Sequence, residues 1–599
     1  MHLRAVRWNP QTNEGDVVNG PAHRQAGLAA LGLATFFVLM ASFPAQAQQA
    51  APPAYDPRQF DQRFNGSQSG WTPSTRPPRL RMPALSQPAT PPADTRPLFV
   101  LRHVSIAGAT AIPPDHLASV YQPYVGKKVS QADLAAIAAG IGDIYRAAGF
   151  NLSRAIIPPQ DIKNGSIRVQ VIEGSITALD VRGEGAEEFG VRQMLAPVLA
   201  EHPSRLGTLE RKLLLINNRP GVRIADTTLE EIGTASGHFR LTVFVKTWHV
   251  FASLGVDNLG AAAVGPWESY ATAAYNSLLR PGDTLAVNLS TTPNDPRELG
   301  FGRLSYDTPI GDDGVRVGVS GMYSDVWPGD YRRALGDNTT MEGFELRASV
   351  VPIQSQRSTL TITSAFDLSN VSESDLFGTI YEDRIRTFGL TGDYRLQDNF
   401  GGSNFLTLTW RQGLNVLGAS QADDDFVSHI GASPSFSALD VWFTRYQSLT
   451  DAWSLKIAAA AQAASGPLYL SQQFYLGGAA FGRAYAAAET SGDNGMAGTL
   501  ELRFDQKLNS QFLTGYQLYS FVDSGVAWNA GYNYTDGISL TSVGGGVRFF
   551  LANNTQADLA IAVPLTYRSP DNPGRDVRVL FSLTSALELC PSRASNHCM

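Results

Sequence analysis

The chain has 599 residues, of which 17% are charged and 10% aromatic, with 56 glycines and a formal net charge of -7. This length exceeds that of one ordinary compact domain, and low charge with abundant glycine is typical of a β-rich protein with many tight turns. The negative balance argues against nucleic acid as a partner, because phosphate binding requires a basic surface.

An export signal is predicted at the N-terminus. His23 and Arg24 precede an apolar run from Ala26 to Met40, and Ala45-Gln46-Ala47 follows it. These are the charged region, the apolar region and the small-x-small cleavage site of a secretory signal peptide, which we assign to residues 1–47. A signal anchor is the alternative, but the run is short for a membrane-spanning helix, and no later apolar stretch reaches about 18 residues. The exported protein is therefore expected to be periplasmic, secreted or an outer-membrane barrel.

Residues 48–98 have the composition of a linker, because they are rich in Pro, Gln, Ser and Ala and lack apolar periodicity. Within this linker, Tyr55 to Phe64 is predicted to form one or two helical turns with Phe60 and Phe64 on one side. The linker separates the export signal from the folded part of the chain.

Two small α/β units are predicted next, over residues 99–174 and 175–247. In each, a strand is followed by two helices and two strands, an order that buries one helical layer against a sheet. The elements of the first unit are Phe99 to Ile106, Pro114 to Tyr121, Ser130 to Ala148, Arg154 to Ile157 and Ser166 to Ile172. Those of the second are Ile176 to Val181, Glu188 to Leu199, Thr208 to Ile216, Arg223 to Leu229 and His238 to Val245. The repeated order predicts a tandem module, with two unrelated periplasmic pieces as the alternative.

Residues 248–585 consist of segments of about ten residues in which apolar and polar residues alternate. We count about sixteen such segments, and short turns such as Arg280-Pro281 alternate with long gaps such as Ser369 to Tyr381. An even number of strands with this alternation of gaps is the pattern of outer-membrane barrels, and it places both chain ends in the periplasm. A soluble β-sandwich or propeller is the alternative, which the export signal and the low charge disfavour.

A lone arginine stands in the long gap 465–494, within Phe481-Gly482-Arg483-Ala484-Tyr485. The later segment Phe521-Val522-Asp523-Ser524-Gly525 is strand-like. A barrel of this size leaves a wide lumen that needs filling or gating. We therefore expect the loop to fold into the lumen, where Arg483 pairs with Asp523. The alternative is a solvated loop arginine and an ordinary strand aspartate.

Enzymatic chemistry is not indicated by the remaining residues. The only histidines of the barrel segment are His249 and His429, and neither adjoins a serine motif, so a Ser-His hydrolase is disfavoured. No His or Cys spacing predicts a metal site, and no cofactor is predicted. Cys590 and Cys598, the two cysteines, lie in a C-terminal tail, residues 586–599, where they either close a small loop or have no role.

The stretch from Gly149-Phe150 to Gly174 resembles the polypeptide-transport-associated (POTRA) repeat of haemolysin secretion/activation proteins, in the spacing of Pro159-Gln160, Gly165 and Glu173-Gly174. The whole mature chain resembles the transporter of two-partner secretion, the TpsB branch of the BamA-like superfamily. That family has two POTRA modules and a sixteen-stranded barrel. The resemblance therefore implies a transmembrane β-barrel of about 16 antiparallel strands behind two periplasmic modules, in a Gram-negative outer membrane.

In that family, the sixth external loop folds inward with a Val-Arg-Gly-Tyr/Phe motif, which faces a Phe/Gly-x-Asp-x-Gly motif on the thirteenth strand. The matching positions here are Gly482, Arg483, Ala484 and Tyr485 in the loop, and Phe521, Asp523 and Gly525 in the strand. Ala484 and Gly482 depart from the motif. If position 484 requires a positive φ, an alanine there would be strained.

The resemblance implies export of one unfolded exoprotein, a TpsA-like adhesin or haemolysin, without ATP. Outer-membrane lipid and the barrel assembly machinery are implied as further partners, although the tail after Phe581 departs from the usual aromatic end of the last strand. Tyr55 to Phe64 becomes a candidate plug.

The edge strands of the modules would pair with an extended substrate. Tyr121, Tyr124, Tyr145 and Phe150 are candidate substrate contacts, with the module's own core as the alternative for each. A BamA-like insertase, a diffusion porin and an outer-membrane hydrolase are the competing functions.

Overall fold

The computed structural model describes residues 94–234, 236–261, 263–567 and 575–589. The predicted signal peptide, the candidate plug Tyr55 to Phe64, and Cys590 and Cys598 lie outside these residues. Among the described residues, no helix has the length and apolar character needed to cross a membrane.

The first module is an α/β unit with a three-stranded sheet in the order β2-β5-β4, in which β2 and β5 are parallel. A separate two-stranded sheet joins β1 and β3. Its elements are β1 (Pro97–Val100), β2 (His103–Ala107), α1 (Pro114–Tyr121), β3 (Lys128–Ser130), α2 (Gln131–Ala147), β4 (Arg154–Ile156) and β5 (Ser166–Ile172). The single strand predicted over Phe99 to Ile106 is thus two strands. It breaks because Leu101 is fully buried and the amides of Arg102 and His103 both donate to the Gly165 carbonyl.

Helix α2 has the predicted ends. Ser130 accepts the amide of Asp133 at 3.2 Å, and Asp133 accepts the amide of Ser130 at 2.8 Å, which is a capping box. Gly149 follows the helix with φ +91°, the left-handed conformation of a C-terminal stop. Ile137, Ile141 and Tyr145, a stripe at helical spacing, are buried in the core of the module.

The second module repeats this arrangement, with a sheet in the order β6-β8-β7. Its elements are β6 (Ser175–Arg182), α3 (Val191–Ala200), α4 (Leu206–Asn217), β7 (Val222–Glu231) and β8 (His238–Thr247). Helix α3 begins after Gly190, three residues later than predicted from Glu188, because Gly190 has φ +68° and ends the preceding turn. The two modules are joined by an ion pair between Arg154 and Glu231 at 2.7 Å and by the amide of Leu206, which donates to the carbonyl of Gly149.

Sixteen antiparallel strands of the described chain close into a barrel, in which the last strand pairs with the first. The first eleven are β9 (Val250–Asp257), β10 (Glu268–Asn276), β11 (Thr284–Thr291), β12 (Leu299–Ile310), β13 (Val315–Val326), β14 (Asn338–Gln354), β15 (Ser358–Asp375), β16 (Gly378–Gln397), β17 (Gly402–Gly413), β18 (Ser437–Ser448) and β19 (Trp453–Ala464). A short hairpin, β20 (Phe474–Leu476) and β21 (Thr490–Gly492), lies outside the barrel ring. The last five are β22 (Asn494–Lys507), β23 (Leu513–Trp528), β24 (Ile538–Leu551), β25 (Thr555–Pro564) and β26 (Arg578–Leu589). Single turns of 3-10 helix occupy Gln122–Tyr124, Tyr331–Leu335, Leu470–Gln472 and Tyr534–Asp536.

Two predicted boundaries in the barrel were wrong. The long gap expected over Ser369 to Tyr381 is mostly strand, because β15 and β16 continue as a paired hairpin to Asp375 and Gly378. This hairpin contains many polar residues, so its sequence resembles a loop. The C-terminal tail expected from residue 586 begins too early, since Ala586 and Leu587 continue the register of β26 with β9.

The second module packs against short turns of the barrel. Arg211 and Lys212 on α4 both bond the carboxylate of Asp313 in the turn between β12 and β13, each at 3.0 Å. Glu210 accepts the amide of Gln356 in the turn between β14 and β15 at 2.7 Å. These contacts place the short turns on the side of the modules, which is the periplasmic side of an outer-membrane barrel.

Candidate functional site

The loop between β19 and β22 folds into the barrel. Its side chains Phe481, Arg483 and Tyr485 are buried, and Phe481 and Tyr485 belong to a hydrophobic cluster with the barrel residues Phe521 and Ala497. The hairpin β20-β21 brings the two ends of the loop together, so that its tip enters the lumen as a closed unit. The expected inward fold of residues 465–494 is therefore present.

The turn at the loop tip depends on Gly482. Gly482 has φ +89°, a conformation that favours glycine, and its carbonyl accepts the amide of Tyr485 at 2.9 Å. Ala484 does not have a positive φ, whereas Ala488 does, at +54°. The strain considered for an alanine at position 484 therefore does not arise, because the left-handed positions of this loop are Gly477, Gly478, Gly482 and Ala488.

Arg483 binds Asp523 on β23 through two hydrogen bonds. The Nε–Oδ2 distance is 2.9 Å and the Nη2–Oδ1 distance is 2.8 Å, which is a bidentate pair. The backbone amide of Arg483 also donates to Asp523 Oδ2 at 3.1 Å. Asp523 is completely buried and Arg483 is 8% exposed. The pair expected from the sequence is thus formed inside the lumen.

Glu501 on β22 is a second partner of Arg483 that the sequence analysis missed. Its Oε2 accepts Arg483 Nη1 at 2.6 Å, and its Oε1 accepts Arg503 Nε at 2.8 Å and Arg548 Nη1 at 2.9 Å. One fully buried carboxylate is therefore surrounded by three guanidinium groups. No sequence signal singled out Glu501, because β22 also carries Arg503, Asp505 and Lys507 at alternate positions.

The remaining motif residues line the space that holds the Arg483 side chain, which we call the arginine socket. The guanidinium carbon of Arg483 lies 3.4 Å from the centroid of the Phe521 ring, a cation–π contact. The hydroxyl of Tyr485 donates to the carbonyl of Thr541 at 3.1 Å. Glycine is required at position 525, because a Cβ there would lie 2.7 Å from Leu476 Cδ2 of the inserted hairpin. Gly544 likewise leaves room for the Phe521 ring, 2.5 Å from the position of its absent Cβ.

A second anchor holds the base of the loop and is centred on Asp493. Its Oδ1 accepts the amide of Leu468 at 2.9 Å, so that the two ends of the loop are tied together. Its Oδ2 accepts the amide of Ala530 at 2.8 Å, from the loop between β23 and β24. His429, from the loop between β17 and β18, lies 3.5 Å from Oδ1. We call this arrangement the neck clasp, because it joins three external loops at one buried carboxylate.

His429 and Asp493, the two charged residues of the neck clasp, shift each other's pKa. The hydrogen bond to Asp493 raises the pKa of His429, an effect that outweighs the opposing desolvation. Burial would raise the pKa of Asp493, but hydrogen bonds from His429 and from the amides of Ala530 and Leu468 outweigh it, and the pKa is lowered. Both shifts favour the charged pair.

The candidate substrate contacts of the first module occupy two kinds of position. Tyr145 and Phe150 are 1% and 5% exposed and belong to the core of the module, so the expectation that they contact substrate is corrected. They are buried because α2 turns its apolar stripe toward the sheet. Tyr121 and Tyr124 are half-buried against the same core, and their contact with substrate remains a prediction.

The POTRA motif residues have structural explanations in the first module. Glu173 accepts the amides of Thr110 and Ala111 at 2.7 and 2.8 Å and the hydroxyl of Tyr145 at 2.7 Å. Burial would raise the pKa of Glu173, but these hydrogen bonds outweigh it, and the pKa is lowered. Gln160 bonds both the amide and the carbonyl of Arg168. The hydrogen bonds of these motif residues therefore stabilise the fold of the first module.

A cavity of about 920 Å³ lies in the lumen beside the inserted loop. Its lining includes Arg483 and Glu501 together with Asp367, Asp393 and Asp440. Within the described ranges, no group of three or more His, Cys, Asp or Glu residues is arranged to hold a metal ion.

A closed barrel stoppered by its own loop, with α/β modules on the periplasmic side, defines the class of outer-membrane transporters. Residues 99–174 match the model of the POTRA domain, ShlB-type, and residues 242–549 match that of the haemolysin secretion/activation protein ShlB/FhaC/HecB. The chain belongs to this haemolysin secretion/activation family. It is a two-partner secretion transporter of the outer membrane.

Relatives agree with this assignment, and solved structures agree with the fold. The heme/hemopexin transporter protein HuxB of Haemophilus influenzae is 25% identical over 466 residues, which cover 75% of this chain and 80% of the relative. The outer membrane transporter CdiB of Escherichia coli O6:K15:H31 (strain 536 / UPEC) is 25% identical over 203 residues, 33% of this chain and 34% of the relative. The structure of CdiB from Escherichia coli is similar in fold, with a TM-score of 0.68, 18% identity and coverage of 96% of this chain and 100% of that chain. CdiB from Acinetobacter baumannii gives a TM-score of 0.61 at 17% identity, covering 88% and 97%.

Proposed function

We propose that the loop carrying Arg483 is the gate of this transporter and that Gly482, Arg483, Ala484, Tyr485, Phe521, Asp523 and Gly525 form its latch. The bidentate contact between Arg483 of the loop tip and the fully buried Asp523 on the barrel wall is the observation that supports it. Breaking a buried ion pair costs about 3–5 kcal/mol, because one charge is left uncompensated. The closed loop is therefore a discrete state that an entering chain has to displace.

The gate is held at two points in this proposal. The latch fixes the loop tip in the lumen, and the neck clasp fixes the loop base at the external end. Releasing the tip alone would let the hairpin swing about its base without unfolding it. The loop then returns to the same socket after a substrate has passed, because Glu501 keeps Arg503 and Arg548 in place.

The substrate in this proposal is an unfolded exoprotein, an adhesin or haemolysin of the TpsA type. Extended segments would add to the edge strands of the modules through backbone hydrogen bonds. Tyr121 and Tyr124, which are half-buried against the core of the first module, would be further contacts. The names of the relatives, a heme/hemopexin transporter and CdiB, refer to different systems, so they support export and not one particular cargo. Strand addition and gate release involve no catalytic step and no cofactor.

Lipid and the barrel assembly machinery complete the proposed partners. Leu289, Leu304, Leu439 and Leu559 are about half exposed on the outer faces of their strands, as a lipid-facing surface requires. The rings of Trp453 and Phe504 pack in a tilted arrangement with centroids 5.1 Å apart near the short turns, in the position of an interfacial aromatic girdle. The assembly machinery would act on the closing strand β26, which continues to Leu589.

The replacement Arg483→Ala tests the gate. We expect secretion of the partner protein to fall while the barrel stays folded, as judged by its heat-modifiable migration on gels. Single-channel recordings should show more frequent open events, because the loop tip has lost its anchor. The matched control is Arg384→Ala, which removes an exposed arginine paired with Glu382 on the external hairpin. Unchanged secretion and unchanged opening in Arg483→Ala would contradict the proposal.

A further inference from the structure

The barrel closes where its first strand, β9, pairs with its last strand, β26, and we call this joint the seam. The register across the seam runs without a break from Asp257–Ser582 to Val250–Leu589, so it covers the whole of β9. The register of β9 with β10 on its other side covers the same residues of β9. The seam is therefore paired as completely as the neighbouring joint, and β9 has no unpaired edge between Val250 and Asp257.

A tyrosine side chain crosses the seam. Tyr270 on β10 lies opposite Gly255 on β9, which in turn lies opposite Thr584 on β26. The Tyr270 hydroxyl lies 3.2 Å from Thr584 Oγ1, so this side chain reaches over β9 to the strand beyond it. Gly255 is required for this reach, because a Cβ there would lie 2.2 Å from the tyrosine ring. We call this arrangement, whose tyrosine and threonine both line the lumen cavity, the seam staple.

The external end of the seam is extended by Asn258, which follows β9. Its backbone amide donates to the carbonyl of Phe581 at 3.1 Å. Its Oδ1 accepts the amide of Phe581 at 2.7 Å, and its Nδ2 donates to the carbonyl of Val579 at 2.9 Å. The ring of Phe581 also packs against Trp267, with centroids 5.8 Å apart. The side chain of Asn258 thus bonds the backbone of β26 as a further strand residue would.

Arg578 on β26 is the point where the seam meets the loop that carries Arg483. Its Nη1 donates to the carbonyl of Tyr485 at the loop tip, and its Nη2 donates to the carbonyl of Gly260 at 3.2 Å. Withdrawal of the loop would remove the first of these bonds. The seam staple and the bonds of Asn258 are made by the barrel strands and by the segment after β9, so they do not depend on where the loop lies.

We propose that the seam stays closed throughout transport, with Tyr270 and Asn258 as the positioning residues that lock it. The exported chain then leaves along the barrel axis, and the wall gives it no access to lipid. A protein that inserts strands into a membrane has to offer them a free strand edge, because unpaired backbone groups are costly in lipid. A locked seam withholds that edge, which separates this transporter from the competing insertase function. The proposal rests on the transporter class and not on the gate.

A disulfide across the seam tests this proposal. Asn258 and Phe581 form a hydrogen-bonded pair. The alternation along an antiparallel ladder therefore makes Ser253 and Ala586 a non-hydrogen-bonded pair. The Cα atoms of such a pair are about 4.5 Å apart, which lies within the range of a disulfide. The test variant carries Ser253→Cys together with Ala586→Cys.

The matched control joins β12 and β13 through Ser305→Cys together with Ser320→Cys. These two serines are register partners. The amide of Trp327 donates to the carbonyl of Glu298, which fixes the alternation, so the two serines also form a non-hydrogen-bonded pair. This second disulfide stiffens the wall but leaves the seam untouched.

Both crosslinked proteins are recorded in planar bilayers with potassium chloride as the permeant salt, and export of the partner protein is measured in intact cells. Cys590 and Cys598, the two natural cysteines, are replaced by serine in every chain. The oxidised and reduced forms of the seam pair should give equal conductance, equal open fraction and equal export. Loss of open events or of export in the oxidised seam pair, regained on reduction, would overturn the proposal, whatever the control pair does. So would a seam pair that fails to crosslink under conditions in which the control pair does.

Tyr270→Ala checks that the staple acts at the seam. We expect its folded band on gels to convert to the unfolded band at a temperature about 2 °C or more below that of the wild type. This difference should vanish when the seam disulfide is present and persist when the disulfide between β12 and β13 is present. Tyr270→Phe, which keeps the ring over Gly255 but loses the hydroxyl, should fall between the two. An equal response to both disulfides would show a general loss of packing and would contradict a lock at the seam.

Discussion

Arg483 and Asp523 form a two-point ion pair inside the barrel, with distances of 2.9 Å from Nε to Oδ2 and 2.8 Å from Nη2 to Oδ1. The backbone amide of Arg483 donates to the same carboxylate. Asp523 is therefore bonded by both the main chain and the side chain of the loop tip. This arrangement fixes both the position and the orientation of the tip, whereas a single point charge would fix only its position.

Neutralising Asp523 should open the pore without unfolding it. In Asp523→Asn, Arg483 keeps Glu501 as a partner but loses one carboxylate charge, so the closed state should lose about 3 kcal/mol or somewhat less. Single-channel recordings should show at least a roughly tenfold rise in the open fraction, since about 1.4 kcal/mol corresponds to a factor of ten. Asp393→Asn, which lines the same cavity and accepts a hydrogen bond from Thr407 on the neighbouring strand, is the control. An open fraction equal to that of the wild type would contradict a latch at Asp523.

The neck clasp should weaken as the external pH rises. The pKa of His429 is raised in the folded protein by its hydrogen bond to Asp493, with Asp383 as a second nearby carboxylate. Because this pKa is raised, protonated His429 stabilises the clasp fully below about pH 6.5, the unfolded pKa of histidine. The stabilisation is lost as the pH rises through the raised pKa of the folded protein.

Proteolysis of intact cells checks this expectation. Residues 414–436 and 465–493 should be cleaved more slowly at pH 6 than at pH 8. The difference should disappear in His429→Gln, which keeps a polar side chain but does not titrate. A pH dependence of the same size in His429→Gln would show that another group is responsible.

The first module should lose stability in acid through Glu173. The pKa of Glu173 is lowered in the folded module, so its contribution is present above the unfolded value of about 4.5 and is lost as the pH falls through the folded value. Glu173→Gln should therefore make the module more sensitive to limited proteolysis at pH 7, with little further effect at pH 3. Tyr145→Phe removes one hydrogen bond to Glu173 and should cost about 1 kcal/mol. Tyr124→Phe is the control, and equal sensitivity of all three variants would refute a special role for Glu173.

Removal of the first module should separate export from conduction. A chain that lacks Phe99 to Glu173 retains all sixteen barrel strands and the second module with its contacts to Asp313. We expect no export of the partner protein but normal ion conductance in planar bilayers. Export that persists after this deletion would show that the first module is dispensable.

The barrel could be predicted because lipid imposes the alternation of residues on every crossing strand. The same reason explains the missed hairpin at Ser369 to Tyr381, which extends β15 and β16 with polar residues instead of an apolar face. Outside lipid, no apolar face is required, and a strand of this composition cannot be distinguished from a loop.

The partners of Arg483 were only partly predictable. Asp523 was found through its motif, whereas Glu501 becomes visible only through strand register. Glu501 pairs with Lys456 on one side and with Phe521 on the other, which places it beside the arginine socket. The neck clasp was missed for a similar reason, because His429 and Asp493 belong to different loops and meet only in the folded chain. A lone histidine in a loop carries no signal of such a contact.

The seat of the second module beneath the barrel has a mechanical consequence. Its helix α4 is fastened to two separate turns through Arg211, Lys212 and Glu210, and Arg219 packs against Gly282 in a third. A module attached to three separate turns is restrained from rotating relative to the barrel. In the proposed gate, we therefore expect the hairpin inside the ring, and not the second module, to move when cargo passes.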